Sequence, residues 1–404
     1  MGFHCFAPKP VRNPEPLPKS PKAEPGLSDP SISSPAVGPG SGTAVVPRIA
    51  GYDVARALAV LSMILVNFRY LMEAEDNGPA LLVRLTGWLD GRPAAAFAVL
   101  AGISLALMQR RRSTGDRPEH IRQLRIAVLK RALFLFLIGL TFLPIWPPDI
   151  LHFYGIYFAL GAGFLTATDR SLWWFSALFL ALATVLLIGF EILPGEGWVD
   201  VNDPAFWTPL GLLRNAFIDG YYPAFPWMGF ILVGMWLGRR DLRDASRQRR
   251  LALAGAVVFV LAETGARLIE YFAEMHTFVT DIPMIEYFFE AYPFPPTPVY
   301  FLSAGSTAVL MVVASLSIAD RQNLRRWTAP LAAVGRMALS VYVLHILAGF
   351  LLLLATGRLD AENSLVFACV SAAVCCILAL PGCGIWLQHF RQGPLEALMR
   401  RFSK

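Results

Sequence analysis

Ten apolar runs follow Arg48, and each has close to the roughly 20 residues that an α-helix needs to cross a bilayer. The predicted spans are Tyr52–Met72, Trp88–Met108, Ile126–Leu143, Ile150–Thr166, Leu172–Phe190, Tyr221–Gly238, Leu251–Tyr271, Val299–Ile318, Leu331–Leu354 and Leu365–Trp386. Charged residues make up only 16% of the chain, against roughly 25% in a soluble protein, and no polar stretch after Arg48 is long enough for a soluble domain. The sequence therefore predicts an all-α integral membrane protein, a bundle of about ten transmembrane helices.

Lys and Arg residues cluster in every second connector between these runs. With the N-terminal tail placed in the cytoplasm, 25 of them fall on the cytoplasmic side and only Arg84, Arg214 and Arg358 fall in the outer loops. Cytoplasmic connectors are enriched in Lys and Arg, and an odd number of spans would break the alternation. The pattern predicts cytoplasmic N- and C-termini in a multi-pass protein of the inner (cytoplasmic) membrane. Binding of phosphates from a nucleotide-like donor is the alternative explanation of the basic connectors, and no nucleic-acid partner is expected.

The composition outside the apolar runs divides the chain into three parts. Residues 1–47 contain eleven prolines and are predicted to be a disordered Pro-rich cytoplasmic tail. Residues 48–390 form the polytopic transmembrane domain, and residues 391–404 are a short basic cytoplasmic tail. The five cysteines include no C-x-x-C pair and have no histidine at metal-ligand spacing, so we expect neither a disulfide scaffold nor a metal site.

Asp149 and His152 open the fourth run after a Pro-Pro pair, at the predicted outer surface. Residues three apart share a helical face, so the carboxylate can orient the imidazole and make it more basic. This is the best candidate acid-base pair in the chain. The alternative is structural: Asp149 caps the helix and His152 bonds an outer loop.

Other ionisable residues inside the runs are candidates because the membrane interior does not tolerate isolated charges. Glu263, Arg267 and Glu270 follow each other at i, i+4 and i+7, so they form one charged stripe that either lines a wet cavity or acts as an internal ion network. Within this stripe, Glu263 and Arg267 are expected to form an ion pair. His345 stands alone in the ninth run, where it is either an interhelical hydrogen-bond partner or part of a proton relay.

Two further pairs lie at the predicted ends of runs. Asp90 and Arg92 open the second run at the outer surface. Lys130 and Arg131 lie near the inner end of the third run, where their long stems can reach the lipid head groups or their charges can hold donor phosphates.

Four segments carry a resemblance to a known family. DVARALAVLSMILVN from Asp53 and DGRPAAAFAVLAGISLAL from Asp90 resemble the opening of the heparan-alpha-glucosaminide N-acetyltransferase superfamily and of its uncharacterised bacterial multi-spanning relatives. DILHFYGI from Asp149 and GRMALSVYVLHI from Gly335 resemble the fourth-helix and late-helix motifs of those bacterial relatives. Together the segments cover the chain from about Arg48 to its end.

The resemblance implies acyl transfer from cytosolic acyl-CoA, the donor substrate, to an amino or hydroxyl group of a sugar on the far side of the membrane. Acetyltransferases of this family have an Asn near the end of the first helix and a His in the loop beyond it. Asn67 matches the Asn, whereas no histidine occurs between Phe68 and Glu119. Either another base substitutes, with His152 the candidate on the outer face, or this branch binds or moves a substrate without acylating it.

Two functional hypotheses follow. The first is a membrane acyltransferase that acts on an envelope carbohydrate or lipid head group, with membrane lipids, acyl-CoA and that acceptor as its partners. In this hypothesis His152 is the base, Asp149 orients it and Asn67 stabilises the oxyanion, and Asn67, Arg92 and His152 are expected to lie close together. The residues proposed at the substrate are Arg92, Asp90, Glu263 and Arg267, and those at the donor phosphates are Lys130 and Arg131. The second is a transporter or flippase of a small polar or anionic substrate, with Glu263, Arg267, Glu270 and His345 as its relay. A scaffold without chemistry would leave the charges of the seventh run unexplained.

Overall fold

The computed structural model describes residues 49–112, 118–192, 201–275, 291–294, 296–359 and 361–403. The predicted disordered tail, residues 1–47, lies outside them. The described residues form helices and no strand, which confirms the all-α prediction.

The described part of the chain contains fourteen α-helices. They are α1 Ala50–Leu71, α2 Ala80–Gly87, α3 Arg92–Arg112, α4 Pro118–Phe142, α5 Leu151–Gly163, α6 Asp169–Ile192, α7 Pro209–Arg214, α8 Ala224–Gly238, α9 Ala245–Met275, α10 Pro298–Ala319, α11 Arg325–Arg336, α12 Ala338–Thr356, α13 Leu365–His389 and α14 Pro394–Phe402.

Seven helical segments among the described residues are long and apolar enough to cross a membrane. Two shorter apolar helices, Leu151–Thr166 and Ala224–Gly238, match the fourth and sixth predicted runs. The third run corresponds to α4, a helix of 25 residues whose first half carries several basic side chains. The multi-pass membrane protein is confirmed, while the count of ten spans and the orientation of the termini stay predictions.

Two predicted runs differ from the helices that they form. The ninth run, Leu331–Leu354, is divided at Met337 into α11 and α12, because the backbone of Met337 leaves the helical region (φ −115°, ψ 22°). The second run begins as a turn, and α3 starts only at Arg92, because Gly91 adopts the left-handed conformation (φ 68°) that favours glycine. This turn places Asp90 and Arg92 on either side of the bend.

Helix α1 is the centre of the bundle. It packs against α3, α10, α11, α12 and α13. The close contact of α3 with α8 depends on Gly102, which faces the carbonyl of Ile231, and on Gly234, which faces the carbonyl of Val99; any side chain at either glycine would clash with that backbone. Small residues at such positions allow transmembrane helices to pack closely.

Helices α9 and α13 form the apolar exterior. Their exposed side chains include Leu253, Leu261, Val370, Ile377 and Leu378. Exposed aliphatic faces of this length suit lipid tails rather than water, so the hydrocarbon core is expected to surround these helices.

The last helix, α14, lies within the predicted basic tail 391–404 and is docked on the bundle. The backbone N–H groups of Leu339 and Ser340 donate to Oε1 of Glu396 at 2.8 and 3.2 Å. A helix N-terminus has unpaired N–H groups and a positive dipole end, so this carboxylate caps the start of α12, just after the interruption of the helix at Met337.

Reporter fusions test the predicted topology. A reporter fused after Arg243, between α8 and α9, is expected in the cytoplasm, because that connector carries one of the largest basic clusters. A reporter after Asp203, between α6 and α7, is expected outside. An external signal after Arg243 would reverse the membrane face assigned to the candidate site residues.

Candidate functional site

The carboxylate of Asp149 holds the start of α5 and the ring of His152 together. Asp149 is fully buried and His152 is 3% exposed. The N–H groups of Leu151 and His152 donate to Oδ2 of Asp149 at 2.8 and 3.2 Å, and the same oxygen lies 3.2 Å from Nδ1 of His152. Both interpretations of the pair are therefore realised, because Asp149 accepts hydrogen bonds from the first turn of the helix and also orients the imidazole through its Nδ1–H.

Two residues that the sequence did not indicate complete the surroundings of this pair. Nε2 of His152 lies 3.1 Å from Oδ1 of Asn215, in the π-helical turn Asn215–Asp219. The hydroxyl of Tyr342, on α12, donates to Oδ1 of Asp149 at 3.3 Å. Tyr342 belongs to GRMALSVYVLHI, a segment that carries the family resemblance, but nothing in the sequence predicts its contact with Asp149. No local sequence pattern indicates Asn215.

Asn67 and His345 form a second buried pair, between α1 and α12. Nδ2 of Asn67 lies 3.0 Å from Nε2 of His345, and the side chains are 8% and 1% exposed. The ring of Phe68 stacks on that of His345 with centroids 6.3 Å apart. The interpretation of His345 as an interhelical hydrogen-bond partner is confirmed.

Tyr342 connects the two pairs. It lies three residues before His345 on α12, its hydroxyl reaches Asp149, and its ring meets that of His345 edge to face at 5.4 Å between centroids. Asn67, His345, Tyr342, Asp149 and His152 therefore form one buried polar cluster, which we call the polar centre.

The charged candidates at the ends of α1 and α3 pair with one another. Arg69 donates to Oδ1 of Asp90 at 2.7 Å. Arg92 donates to Glu263 at 2.6 Å and to the hydroxyl of Ser303 at 2.6 Å, which joins α3 to α9 and α10. Asp90 and Arg92 are therefore held by internal partners.

The expected pairing of Glu263 with Arg267 is wrong. Glu263 turns from α9 towards α3 and α10, where Arg92 and Ser303 bind it. Arg267 is exposed, and it has no ion-pair partner among the residues that the structure describes. The stripe Glu263, Arg267, Glu270 is thus split between the packed and exposed sides of α9.

The expected grouping of Asn67, Arg92 and His152 is not seen as direct contacts within the described residues. Each of the three binds a different partner: His345, Glu263 and Asp149, respectively. The polar centre brings Asn67 and His152 into one cluster through Tyr342, whereas Arg92 belongs to the separate network of α3, α9 and α10.

A cavity of about 230 Å³ lies beside the polar centre. Its wall includes Tyr342, which bonds Asp149, and Ile150, the next residue in the chain. The wall also includes Arg56, Arg131 and Arg336. The residues from Ile150 to Phe158 along this wall span roughly 12 Å at 1.5 Å per residue. Helices α4 and α5 are antiparallel here, with Gly139 against His152 and Gly155 against Ala132, so Arg131 lies at the far end from the polar centre.

The wall of this cavity is mainly apolar, with leucine, methionine and phenylalanine side chains. Tyr154 is 4% exposed, lines the cavity, and has a hydroxyl without a hydrogen-bond partner among the described residues. Buried polar atoms normally have a partner, so this hydroxyl is available to bond a molecule in the cavity, either water or a ligand. Arg131 is one of the lining residues, whereas its neighbour Lys130 is not among them.

The described residues contain no group of three or more His, Cys, Asp or Glu side chains that could hold a metal ion. The polar centre consists of two histidines, one carboxylate, one amide and one phenol, and it lies beside a mainly apolar cavity whose charged lining residues are Arg56, Arg131, Arg336 and Glu396.

Two family models match the chain. The model described as "Heparan-alpha-glucosaminide N-acetyltransferase, catalytic" matches residues 48–276, which is more than half of the protein. The chain belongs to this family. A second model, "Protein of unknown function (DUF418)", matches residues 239–404. No curated protein matches the chain.

The two matches divide the polar centre between them. Asn67, Asp149 and His152 lie in the part that matches the N-acetyltransferase catalytic family, whereas Tyr342 and His345 lie in the part that matches only the second model. Membership therefore identifies a multi-pass membrane protein of an acyltransferase-like family, and the contacts of the polar centre join both matched regions.

Proposed function

We propose that this protein transfers an acyl group from cytosolic acyl-CoA to a hydroxyl or amino group of an envelope carbohydrate or lipid head group at the outer face of the inner membrane. Family membership supports acyl transfer. The observation that carries the proposal is the cavity, because it extends from three arginines to residues that touch the acid-base pair Asp149–His152.

The cavity suits a donor with a charged head and a long, narrow arm. Arginine binds phosphate groups through several fixed N–H donors, so Arg56, Arg131 and Arg336 are proposed to lie at the phosphates. The pantetheine arm would extend along the apolar wall, where the hydroxyl of Tyr154 can bond one of its amides. The acyl thioester would then reach Tyr342 and the polar centre without the protein opening to the other side.

The chemistry at the polar centre is nucleophilic attack on a thioester. The acceptor would replace the amide oxygen of Asn215 beside Nε2 of His152. Nε2, then carrying a lone pair, takes the proton of the acceptor hydroxyl or amine while the acceptor atom attacks the thioester carbonyl. Asp149 holds the imidazole through Nδ1, and the Nδ2–H of Asn67 stabilises the negative oxygen of the tetrahedral intermediate. Collapse of the intermediate breaks the carbon–sulfur bond, and the thiolate of CoA receives the proton held by His152.

The charged residues near the predicted outer surface have different proposed roles at the acceptor. Asp90 and Arg92 are already paired, with Arg69 and Glu263, so they would shape the acceptor site rather than bind it with free charges. Arg267 is exposed on α9 and is proposed to meet an anionic group of the acceptor.

The direct test uses the purified full-length protein in detergent with acetyl-CoA labelled in its acetyl group and an extract of envelope lipids and sugars. We expect release of free CoA thiol together with a labelled envelope product. Absence of both, with acetyl-CoA and with longer acyl-CoAs, would contradict acyl transfer. Uptake of anions by proteoliposomes without any thioester turnover would favour the transporter hypothesis instead.

Adjacent cations provide a matched test of the donor site. Arg131→Gln is expected to raise the KM for acyl-CoA by about tenfold or more, since a hydrogen bond to a charged group contributes about 1.5–3 kcal/mol. Lys130→Gln removes the same charge next to it in sequence, but from a residue outside the cavity wall, and is expected to leave this KM unchanged. Equal effects of the two changes would show that the phosphates lie elsewhere.

A further inference from the structure

His345 is held in one hydrogen-bonding state by its own helix. Its Nδ1 lies 3.2 Å from the carbonyl oxygen of Val341, one turn earlier on α12. A carbonyl only accepts hydrogen bonds, so Nδ1 carries the proton, and Nε2 of the neutral ring is left with a lone pair. That lone pair faces Nδ2 of Asn67 at 3.0 Å.

This contact fixes the amide of Asn67. An amide nitrogen has two N–H groups, and His345 accepts one of them. No other side-chain hydrogen bond of Asn67 occurs among the described residues, so the second N–H is available to another acceptor. Because both side chains are almost fully buried, the orientation of the amide is set by this bond, and the ring of Phe68 stacks on the imidazole that accepts it.

Tyr342 relates that orientation to the acid-base pair. The same face of α12 that presents His345 to Asn67 presents the hydroxyl of Tyr342 to Asp149. Helix α12 therefore fixes the position of the amide relative to His152. The end of the cavity lies beside this face, since Tyr342, Ile150 and Met63 all line it.

We propose that His345 is a positioning residue that directs the free N–H of Asn67 towards the developing oxyanion. The inference rests on the proposed function and goes beyond it by assigning a role to a residue outside the part of the chain that matches the acetyltransferase family. His345 needs only to accept one hydrogen bond, while proton transfer belongs to His152. A glutamine can present its carbonyl oxygen near the place of Nε2, so it can replace the histidine in this role.

The test compares His345→Leu with His345→Gln in the full-length protein, with acetyl-CoA as donor and the envelope extract as acceptor. Loss of one oxyanion donor lowers kcat by about 10²- to 10³-fold, so we expect a loss of that size for His345→Leu with an unchanged KM for acetyl-CoA. His345→Gln is expected to restore most of the kcat. In an Asn67→Ala background, His345→Leu should cause no further loss, because His345 acts only through Asn67.

His389 supplies a matched control. Its Nδ1 also lies near the carbonyl of the residue four positions earlier, Ile385, at 3.1 Å, but its side chain is exposed at the end of α13. His389→Leu is expected to leave kcat unchanged.

Three results would overturn the inference while leaving acyl transfer intact. If His345→Gln is as inactive as His345→Leu, His345 is a proton-transferring group. If His345→Leu lowers kcat further in the Asn67→Ala background, His345 has a role that does not act through Asn67. A lower melting temperature with normal kcat for the folded protein would make it a packing residue. A wild-type protein that turns over no acyl-CoA would instead overturn the proposed function, and this inference with it.

Discussion

Replacement of His152 by alanine is expected to lower the rate of acyl transfer by about 10²- to 10⁴-fold, the usual contribution of a positioned acid or base. The imidazole is buried and lies 3.2 Å from the carboxylate of Asp149, and the preceding residue, Leu151, lines the cavity. Its removal should therefore affect kcat, while binding of acyl-CoA at the distant arginines is retained. Transfer of the labelled acetyl group under saturating donor is the measurement.

Asp149→Asn and Asn215→Ala distinguish the two sides of this ring. Asp149→Asn keeps the size of the side chain but weakens the hold on Nδ1, so we expect a smaller loss than for His152→Ala, together with some loss of stability because α5 loses its charged acceptor. Asn215 faces Nε2, the side proposed for the acceptor, so Asn215→Ala should raise the KM for the acceptor. Full activity of His152→Ala would remove His152 from the mechanism.

The local part of the polar centre could be predicted from the sequence because it depends on helical spacing alone. Asp149 and His152 are three residues apart, and the structure places them in contact. The pairing of Asn67 with His345 joins residues 278 positions apart, and that of Asp149 with Tyr342 joins residues 193 apart. Helical periodicity shows which residues share a face but not which face meets which helix, so these partners required the fold.

The same limit explains the differences in the fold. The run Leu331–Leu354 contains one charged residue, Arg336, and is otherwise mainly apolar, so its hydropathy predicts one helix where α11 ends and α12 begins. The residue that caps α12 is Glu396, in a segment interpreted as a charged tail, and nothing near Met337 indicates that partner. Likewise, the position of Arg267 one turn from Glu263 predicts an ion pair on α9, whereas Arg92 reaches Glu263 from another helix.

The ion pair of Arg92 with Glu263 is expected to contribute strongly to stability. The two side chains are 6% and 18% exposed, and Arg92 also donates to Ser303 and to the carbonyl of Trp88. Removing one partner of a buried pair leaves the other charge without compensation, at a cost of about 3–5 kcal/mol. Glu263→Gln should therefore lower the unfolding free energy in detergent by about this amount, measured by denaturant or thermal unfolding.

A double change separates the pair from its surroundings. Arg92→Gln together with Glu263→Gln leaves no stranded charge, so the double variant should be more stable than the sum of the two single losses predicts. Glu270→Gln is the matched control, because Glu270 is an exposed glutamate two turns further along α9, and it should change stability little. If the losses at Arg92 and Glu263 simply add, the two charges are not coupled and α3 is held to α9 by apolar packing. If Arg267→Gln, rather than Arg92→Gln, is coupled to Glu263→Gln, then α9 is rotated and the pair expected from the sequence is the correct one.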